Sequence, residues 1–326
     1  MKQFQYVRAA NQQSVISTIG KPGTTIIAGG TNLIDLMKRG VIAPDKLIDI
    51  THLPLKNIQA TKTGLHIGAL VLNSTVAENS LVLQKQPLLS MALNAGASPQ
   101  LRNMATMGGN MMQRTRCTYF YDVTMPCNKR APGSGCGALG GYNRMHAIFG
   151  TSEQCIAANP SDMCVGLAAL DAVAVIAGKK GERRIPLTDF HRLPGNHPEI
   201  DNHLAKDELI TGIEIPDNNF AKHSYYLKVR DRQSYAFALV SVAAALEISN
   251  GTIHKARLAM GGVAHKPWRL FDAEKFLTGK PVSEDSFAQA AQIAMQGAKG
   301  YEYNSFKLKL APATLSEALR HASGLV

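Results

Sequence analysis

The sequence predicts an α+β protein of two units, an N-terminal one made of two subdomains and carrying a loop insertion, and a separate C-terminal one of strands and helices. Three observations predict it. A short β-prone run, Thr24–Ala28, passes through Gly29-Gly30 into the helix-like stretch Leu33–Arg39. All five cysteines fall between Cys117 and Cys164, most of them in a Gly- and Pro-rich stretch with neither helical nor strand period. Beyond about residue 218, the β-prone runs Ala236–Ile248 and Thr252–Met260 precede amphipathic patterns at Ser283–Gly297 and Thr314–Ser323.

The 326 residues suit two or three domains of roughly 100–200 residues each. The expected division is an N-terminal unit 1–217, with subdomains 1–55 and 56–217 and an insertion at about 114–156, followed by a C-terminal unit 218–326. No stretch approaches the roughly 20 apolar residues of a membrane-spanning helix, so no membrane insertion is expected. The N-terminal Met1–Tyr6 has no apolar core or small-residue cleavage site, so the expectation is that export would depend on a partner's signal. The net charge of +11 is scattered and aromatics make up only 6%, without a basic-aromatic stripe, which argues against nucleic acid and for an anionic cofactor, an acidic partner or solubility.

In chain order, Gly29-Gly30-Thr31-Asn32 stands where strand gives way to helix, the arrangement that presents backbone N–H groups to a phosphate. It matches neither the dinucleotide fingerprint nor a P-loop, and alone it reads equally well as a plain turn. The stretch Leu101–Asn110 repeats the theme, joining Gly108-Gly109 to Thr106 and Asn110. Two such loops could cradle a diphosphate from two sides.

Cys117, Cys127, Cys136 and Cys155 follow the spacing C-x9-C-x8-C-x18-C. So long a structureless stretch inside a compact domain needs something to order it, and four thiolates around a metal centre would do so. Paired C-x2–4-C knuckles, the usual mark of structural zinc, are absent, and so is the bacterial ferredoxin run. From Arg114 to Cys155 the cations Arg114, Arg116, Lys129, Arg130 and Arg144 outnumber Asp122 and Glu153, which favours an anionic cluster. From these residues a cluster is preferred, with zinc and free or disulfide-bonded cysteines left open. Cys164 follows Ser161, which reads as an N-cap to an apolar helix, so it is expected to be a buried spare.

Ile27–Leu33, Leu101–Asn103 with Ala105–Asn110, Asn159–Met163 and Gly261–Ala264 together resemble the ordered landmarks of the FAD-binding subunits of molybdenum hydroxylases, over essentially the whole chain. The cysteine insertion, with Arg-Cys-x-Tyr-Phe-Tyr-Asp and Pro-Cys-Asn-Lys-Arg, is similar to that of periplasmic aldehyde oxidoreductase flavin subunits and, more distantly, 4-hydroxybenzoyl-CoA reductase. The resemblance implies a vanillyl-alcohol oxidase-like (PCMH-type) FAD domain with an iron–sulfur loop and a C-terminal domain of antiparallel sheet and helices like that of CO dehydrogenase flavoprotein. It implies a [4Fe–4S] cluster on Cys117, Cys127, Cys136 and Cys155. It places FAD on Ile27, Ala28, Gly29, Gly30, Thr31, Asn32, Leu33 and Ile34 and on Thr106, Gly109 and Asn110, with Asp162 at the ribose and Met112, Ile210 and Lys228 lining the flavin. For Asp162 a helix-dipole role, and for Lys228 a solvated strand position, are the plainer readings.

Where many members of the family carry Ser-Asp, this chain has Ser234-Tyr235, which puts NAD⁺ as electron acceptor in doubt. No acid–base pair or molybdenum site is evident, so no catalytic residue is assigned. The expected function is electron relay: FAD and a [4Fe–4S] cluster suit passage of electrons to an external acceptor rather than substrate chemistry. The resemblance supplies the partners, a molybdopterin-binding large subunit and a [2Fe–2S] small subunit in a heterotrimer, and a periplasmic location, with the cytoplasm as alternative. Competing readings are a self-sufficient flavin oxidoreductase and a zinc-stapled scaffold whose glycine loops are only turns.

Overall fold

The computed structural model describes residues 1–326. A three-stranded parallel sheet opens the chain, with β1 (Gln5–Arg8) and β2 (Thr24–Ile27) flanking β3 (Lys46–Asp49). Parallel neighbours need crossovers, and the helices Gln12–Ile19 and Leu33–Lys38 provide them. The first helix starts at Asn11, whose side chain accepts from Ser14 N. A small core around Val15, Ile48, Leu53 and Leu209 ties this subdomain to the next.

The second subdomain is an antiparallel sheet of β4 (Ile58–Thr61), β5 (Gly64–Gly68), β6 (Val173–Gly178), β7 (Gly181–Pro186) and β8 (Leu209–Pro216), in the order β4-β5-β8-β6-β7. All its helices but Leu187–Phe190, which follows β7, lie between β5 and β6, and so does the irregular stretch from Gln113 to Ser161, in which Thr118–Tyr121 is the only helical turn. Ser161 caps the apolar helix Asp162–Ala169 by accepting from Cys164 N, and Cys164 is wholly buried in the main core.

The third sheet is antiparallel, β12-β11-β10-β9, from β9 (Ser224–Val229), β10 (Val240–Ser249), β11 (Thr252–Gly261) and β12 (Trp268–Arg269). Alternation along β10 explains its unbroken apolar sequence. Val240, Val242, Ala244 and Leu246 pack with Leu315 and Leu319 of the helix Lys307–Ser323, while Ala243 and Ala245 join the core that holds Leu89, Ala92 and Val165 of the N-terminal unit. A sheet buried on both faces needs no polar side. Small alanines on the inward face let the helices Pro87–Ala95 and Asp162–Ala169 approach closely.

Two elements differ from expectation. The strand expected from Ala236 begins at Val240, because Ala236–Leu239 is loop. The last helix starts at Lys307 rather than Thr314; its first two turns contain lysines and Pro312, yet Lys307 and Ala311 are fully buried. No helix is long and apolar enough to cross a membrane.

Candidate functional site

The four motifs that stand far apart in sequence meet in the fold. A Cβ on Gly29 would lie 1.8 Å from Met104 O, so the first glycine loop packs directly on the backbone of the second, and only glycine permits that approach. Thr106 caps the short helix Met107–Met111 by accepting from Gly109 N at 3.2 Å. Asn110 Oδ1 accepts from Ser161 Oγ at 2.7 Å, and Asn159 N donates to Ala264 O at 2.8 Å. The chain of contacts runs from Gly29 through Asn110 and Ser161 to the turn at Gly261–Ala264. That turn depends on Gly262, whose φ of +72° and proximity to Ala238 O and Leu239 O leave no room for a side chain.

Asp162 and Lys228 are brought together as a buried ion pair. Asp162 Oδ2 accepts from Lys228 Nζ at 2.7 Å and Oδ1 accepts from Tyr226 Oη at 2.7 Å. Lys228 Nζ also donates to Ala95 O at 2.9 Å. Lys228 is therefore no solvated strand residue; its side chain is 3% exposed. Burial, and behind it the Asp162 carboxylate, push the Tyr226 hydroxyl well above its usual range, so it donates at any working pH. Met112 and Ile210 stand apart from this group. Met112 is partly exposed and accepts from Asn202 at its sulfur, and Ile210 is packed in the core on β8.

An open cleft lies between the N-terminal unit and the third sheet. Its walls are Thr115–Thr118, Tyr142, Arg144–His146, Ala158–Asp162, Val165, Phe237, Ala238, Ser241 and Gly261-Gly262. Residues 27–34 and 106–112 are not part of these walls; they reach the cleft through the Asn110–Ser161 bond. Arg116 enters the cleft as a partly buried cation stacked on Phe237, whereas Arg144 is engaged by Asp231 at 2.8 Å. Tyr235, which follows Ser234, is 61% exposed.

Beside the cleft, Cys117, Cys127, Cys136 and Cys155 line one small cavity, and Cys164 does not. Cys117 and Thr115 belong to the walls of both spaces, so the partition is one residue thick there. Burial pushes the Cys117 thiol up to about 12 and the Cys155 thiol to about 11. Thiols so placed stay protonated at neutral pH unless a metal centre takes the place of the protons. No three donors from His, Cys, Asp or Glu converge as a single ion would require. The four cysteines instead share the lining of one small cavity, and four soft sulfur donors are the kind and number of ligands that an iron–sulfur cluster takes. Ala157 N–H and His146 Nε2 approach the Cys155 and Cys117 sulfurs at 3.4 and 3.1 Å.

The cations of the insertion act differently from the sequence expectation. Lys129 is buried and spends its charge on Asp201 at 2.5 Å, while also donating to Pro198 O and His265 Nε2, each at 2.7 Å. Arg114 holds the other Asp201 oxygen at 2.7 Å. Burial alone would raise the Asp201 carboxyl, but Lys129 and Arg114 outweigh it and hold it below its usual range. Arg130 donates to Tyr119 O and Phe120 O at 2.8 Å. These cations staple the insertion to the 190–203 loop and to itself. Sequence pattern missed Tyr226, His146, Asp201 and Lys307. Each acts through a partner tens of residues away, and the one local hint was that a buried Lys or His is seldom idle.

Comparison with known families and structures follows the same lines. The model of the FAD binding domain in molybdopterin dehydrogenase matches residues 2–218, and that of the CO dehydrogenase flavoprotein C-terminal domain matches 225–322. The chain is 47% identical to the aldehyde oxidoreductase FAD-binding subunit of Escherichia coli (strain K12), covering 99% of both chains. It is 30% identical to the glyceraldehyde dehydrogenase medium chain of Sulfolobus acidocaldarius, over 87% of this chain and 84% of that one. Among solved structures, quinoline 2-oxidoreductase from Pseudomonas putida 86 superposes with a TM-score of 0.75 at 27% identity, covering 99% of each chain. Carbon monoxide dehydrogenase from Hydrogenophaga pseudoflava shares the fold with a TM-score of 0.78 at 23% identity, over 99% of this chain and 98% of that one.

Proposed function

Since this chain belongs to the FAD-binding subunits of the molybdopterin dehydrogenase family, an oxidoreductase family, we propose that it is the electron-transfer subunit of a molybdenum-dependent aldehyde oxidoreductase. In this reading it carries FAD and one [4Fe–4S] cluster and passes electrons from a [2Fe–2S] partner to an external acceptor. The observation that carries it is the cavity lined by Cys117, Cys127, Cys136 and Cys155, one wall away from the large cleft, in a chain 47% identical to an aldehyde oxidoreductase FAD-binding subunit.

The residues divide the work. The glycine loop at Gly29-Gly30 would offer backbone N–H groups to the diphosphate, whereas the N–H groups of Gly108 and Gly109 are committed to Ala69 O and Thr106 Oγ1, so the second loop would act through its packing on Gly29 and through Asn110 with Ser161, which would fix it against the cleft. Asp162, held by Lys228 and Tyr226, would set the edge of the flavin site. Bound there, the flavin supplies paired or single electron transfer and the cluster single electron transfer. No acid–base pair for an aldehyde is assigned to this chain; that chemistry falls to a molybdopterin-binding large subunit, which with the [2Fe–2S] subunit completes a heterotrimer. Tyr235 in place of an acid speaks for an acceptor other than NAD⁺. Export to the periplasm together with a signal-bearing partner completes the reading.

The test is the composition and competence of the purified chain. Flavin bands with about four iron per chain are expected, and one zinc in a colourless protein would sink the reading. Cys117→Ser, Cys127→Ser, Cys136→Ser and Cys155→Ser should each lower iron content, and Cys164→Ser should not. Iron loss in the Cys164 variant alone would reverse the assignment. Aldehyde turnover should require the partner subunits; turnover by the chain alone would favour a self-sufficient oxidoreductase.

A further inference from the structure

His146 stands at the partition between the two spaces. Its ring is buried, it lines the cleft, and its Nε2 lies 3.1 Å from Sγ of Cys117, the cysteine common to both walls. Two features single it out. No hydrogen bond of good geometry reaches its buried Nδ1, although the Asn143 backbone lies close to the ring, so the ring's one well-formed polar contact is the sulfur. Its backbone is fixed: His146 O accepts from Lys307 Nζ at 2.9 Å and from Asn304 Nδ2 at 3.2 Å, so the imidazole has little freedom to turn away.

A thiolate bound to iron has no proton to give. A 3.1 Å contact between such a sulfur and an imidazole nitrogen is attractive only if the nitrogen carries the proton, which fixes the tautomer with Nε2–H donating and Nδ1 as the bare lone pair. The same choice avoids leaving a buried N–H donor unsatisfied at Nδ1. A donor to a cluster sulfur stabilises the more negative, reduced state more than the oxidised one, because the sulfur carries more charge there.

We propose that His146, by donating Nε2–H to Cys117 Sγ, sets the reduction potential of the cluster held by Cys117, Cys127, Cys136 and Cys155, acting on the ligand that faces the flavin cleft. This rests on the cluster reading above. His146 is a positioning residue: it touches a cluster ligand, not iron. The neighbouring donor, Ala157 N–H on Cys155, lies 3.4 Å from its sulfur and belongs to the backbone, so His146 is the contact that a side-chain substitution can remove.

The experiment is an EPR-monitored redox titration of the full chain purified with its iron. In His146→Leu, at a fixed potential, the reduced-to-oxidised ratio of the cluster should fall about tenfold, a downward shift of about 59 mV for a one-electron couple. His146→Gln, whose amide can donate to the sulfur, should recover part of the shift. Full iron with an unshifted ratio in His146→Leu would overturn the proposal. Should the leucine variant lose iron, the wild-type chain decides. With ¹⁵N-labelled histidine, pulsed EPR of the reduced cluster should show a histidine nitrogen coupling that disappears in His146→Gln, and its absence from the wild type would equally overturn the proposal. A wild-type chain without iron would instead defeat the cluster reading itself.

Discussion

Asp162 has both carboxylate oxygens committed, to Lys228 at one side and Tyr226 at the other, and all three side chains are buried. Such a pair adds little net stability when intact, but removing one partner leaves an uncompensated buried charge, at a cost of about 3–5 kcal/mol. Lys228→Met should therefore lower unfolding stability by that order and reduce the flavin-to-protein absorbance ratio as well, since Asp162 forms part of the cleft wall. A stable variant with full flavin would show that the pair supports neither. The cap at Ser161 and the acid that follows it were legible from the Asn-Pro-Ser-Asp sequence, because an N-cap followed by an acid is local chemistry, whereas a place for Asp162 at the cofactor was only what the family resemblance implied. Its partner was not, since Lys228 arrives from 66 residues away along a different sheet.

The helix Lys307–Ser323 shows how an element can hide its start. Lys307 is fully buried at its first turn and donates to His146 O and to Gly262 O, at 2.9 and 2.7 Å, so the helix is pinned to the partition and to the glycine turn of the cleft. A charged residue at an element's first turn reads as solvated in sequence, and a proline such as Pro312 inside a helix reads as a break. Burial, and behind it Arg144, lower the Lys307 ammonium to about 7. Between that value and the ordinary lysine value near 10.4, the unfolded chain holds a proton that the folded chain has released, so stability rises with pH through this window and is flat below it. Urea unfolding of wild type and Lys307→Met at pH 7 and 9 should show the wild type gaining roughly 1–2 kcal/mol relative to the variant at the higher pH, within the limit of about 1.4 kcal/mol per pH unit for one group. A difference that stays constant with pH would mean that Lys307 is not the group responsible.

At the scale of the whole molecule, the third sheet is what makes two units into one site. The fold class was legible because β-runs, caps and glycine turns are short-range signals, and so were the landmark motifs. The shared sheet left only an ambiguous trace, an apolar run without alternation, which reads as core without saying which two cores it serves. The structure assigns them by parity. Ser241 lines the cleft, and Ala243 and Ala245 on the same face pack toward the helices of the N-terminal unit, whereas Val242, Ala244 and Leu246 face the C-terminal helices. Adjacent residues of β10 therefore test different things. Ala243→Leu and Ala244→Leu add the same bulk to closely packed surroundings, and overpacking of this kind costs about 1–3 kcal/mol in either case. Only Ala243→Leu pushes against the helix Asp162–Ala169, whose first residue is in the cleft wall. Both variants should unfold at lower temperature by similar amounts, while flavin content falls several-fold in Ala243→Leu and stays near wild type in Ala244→Leu. Equal flavin loss in the two would show that the cleft responds to stability alone and not to the face of the sheet that builds it.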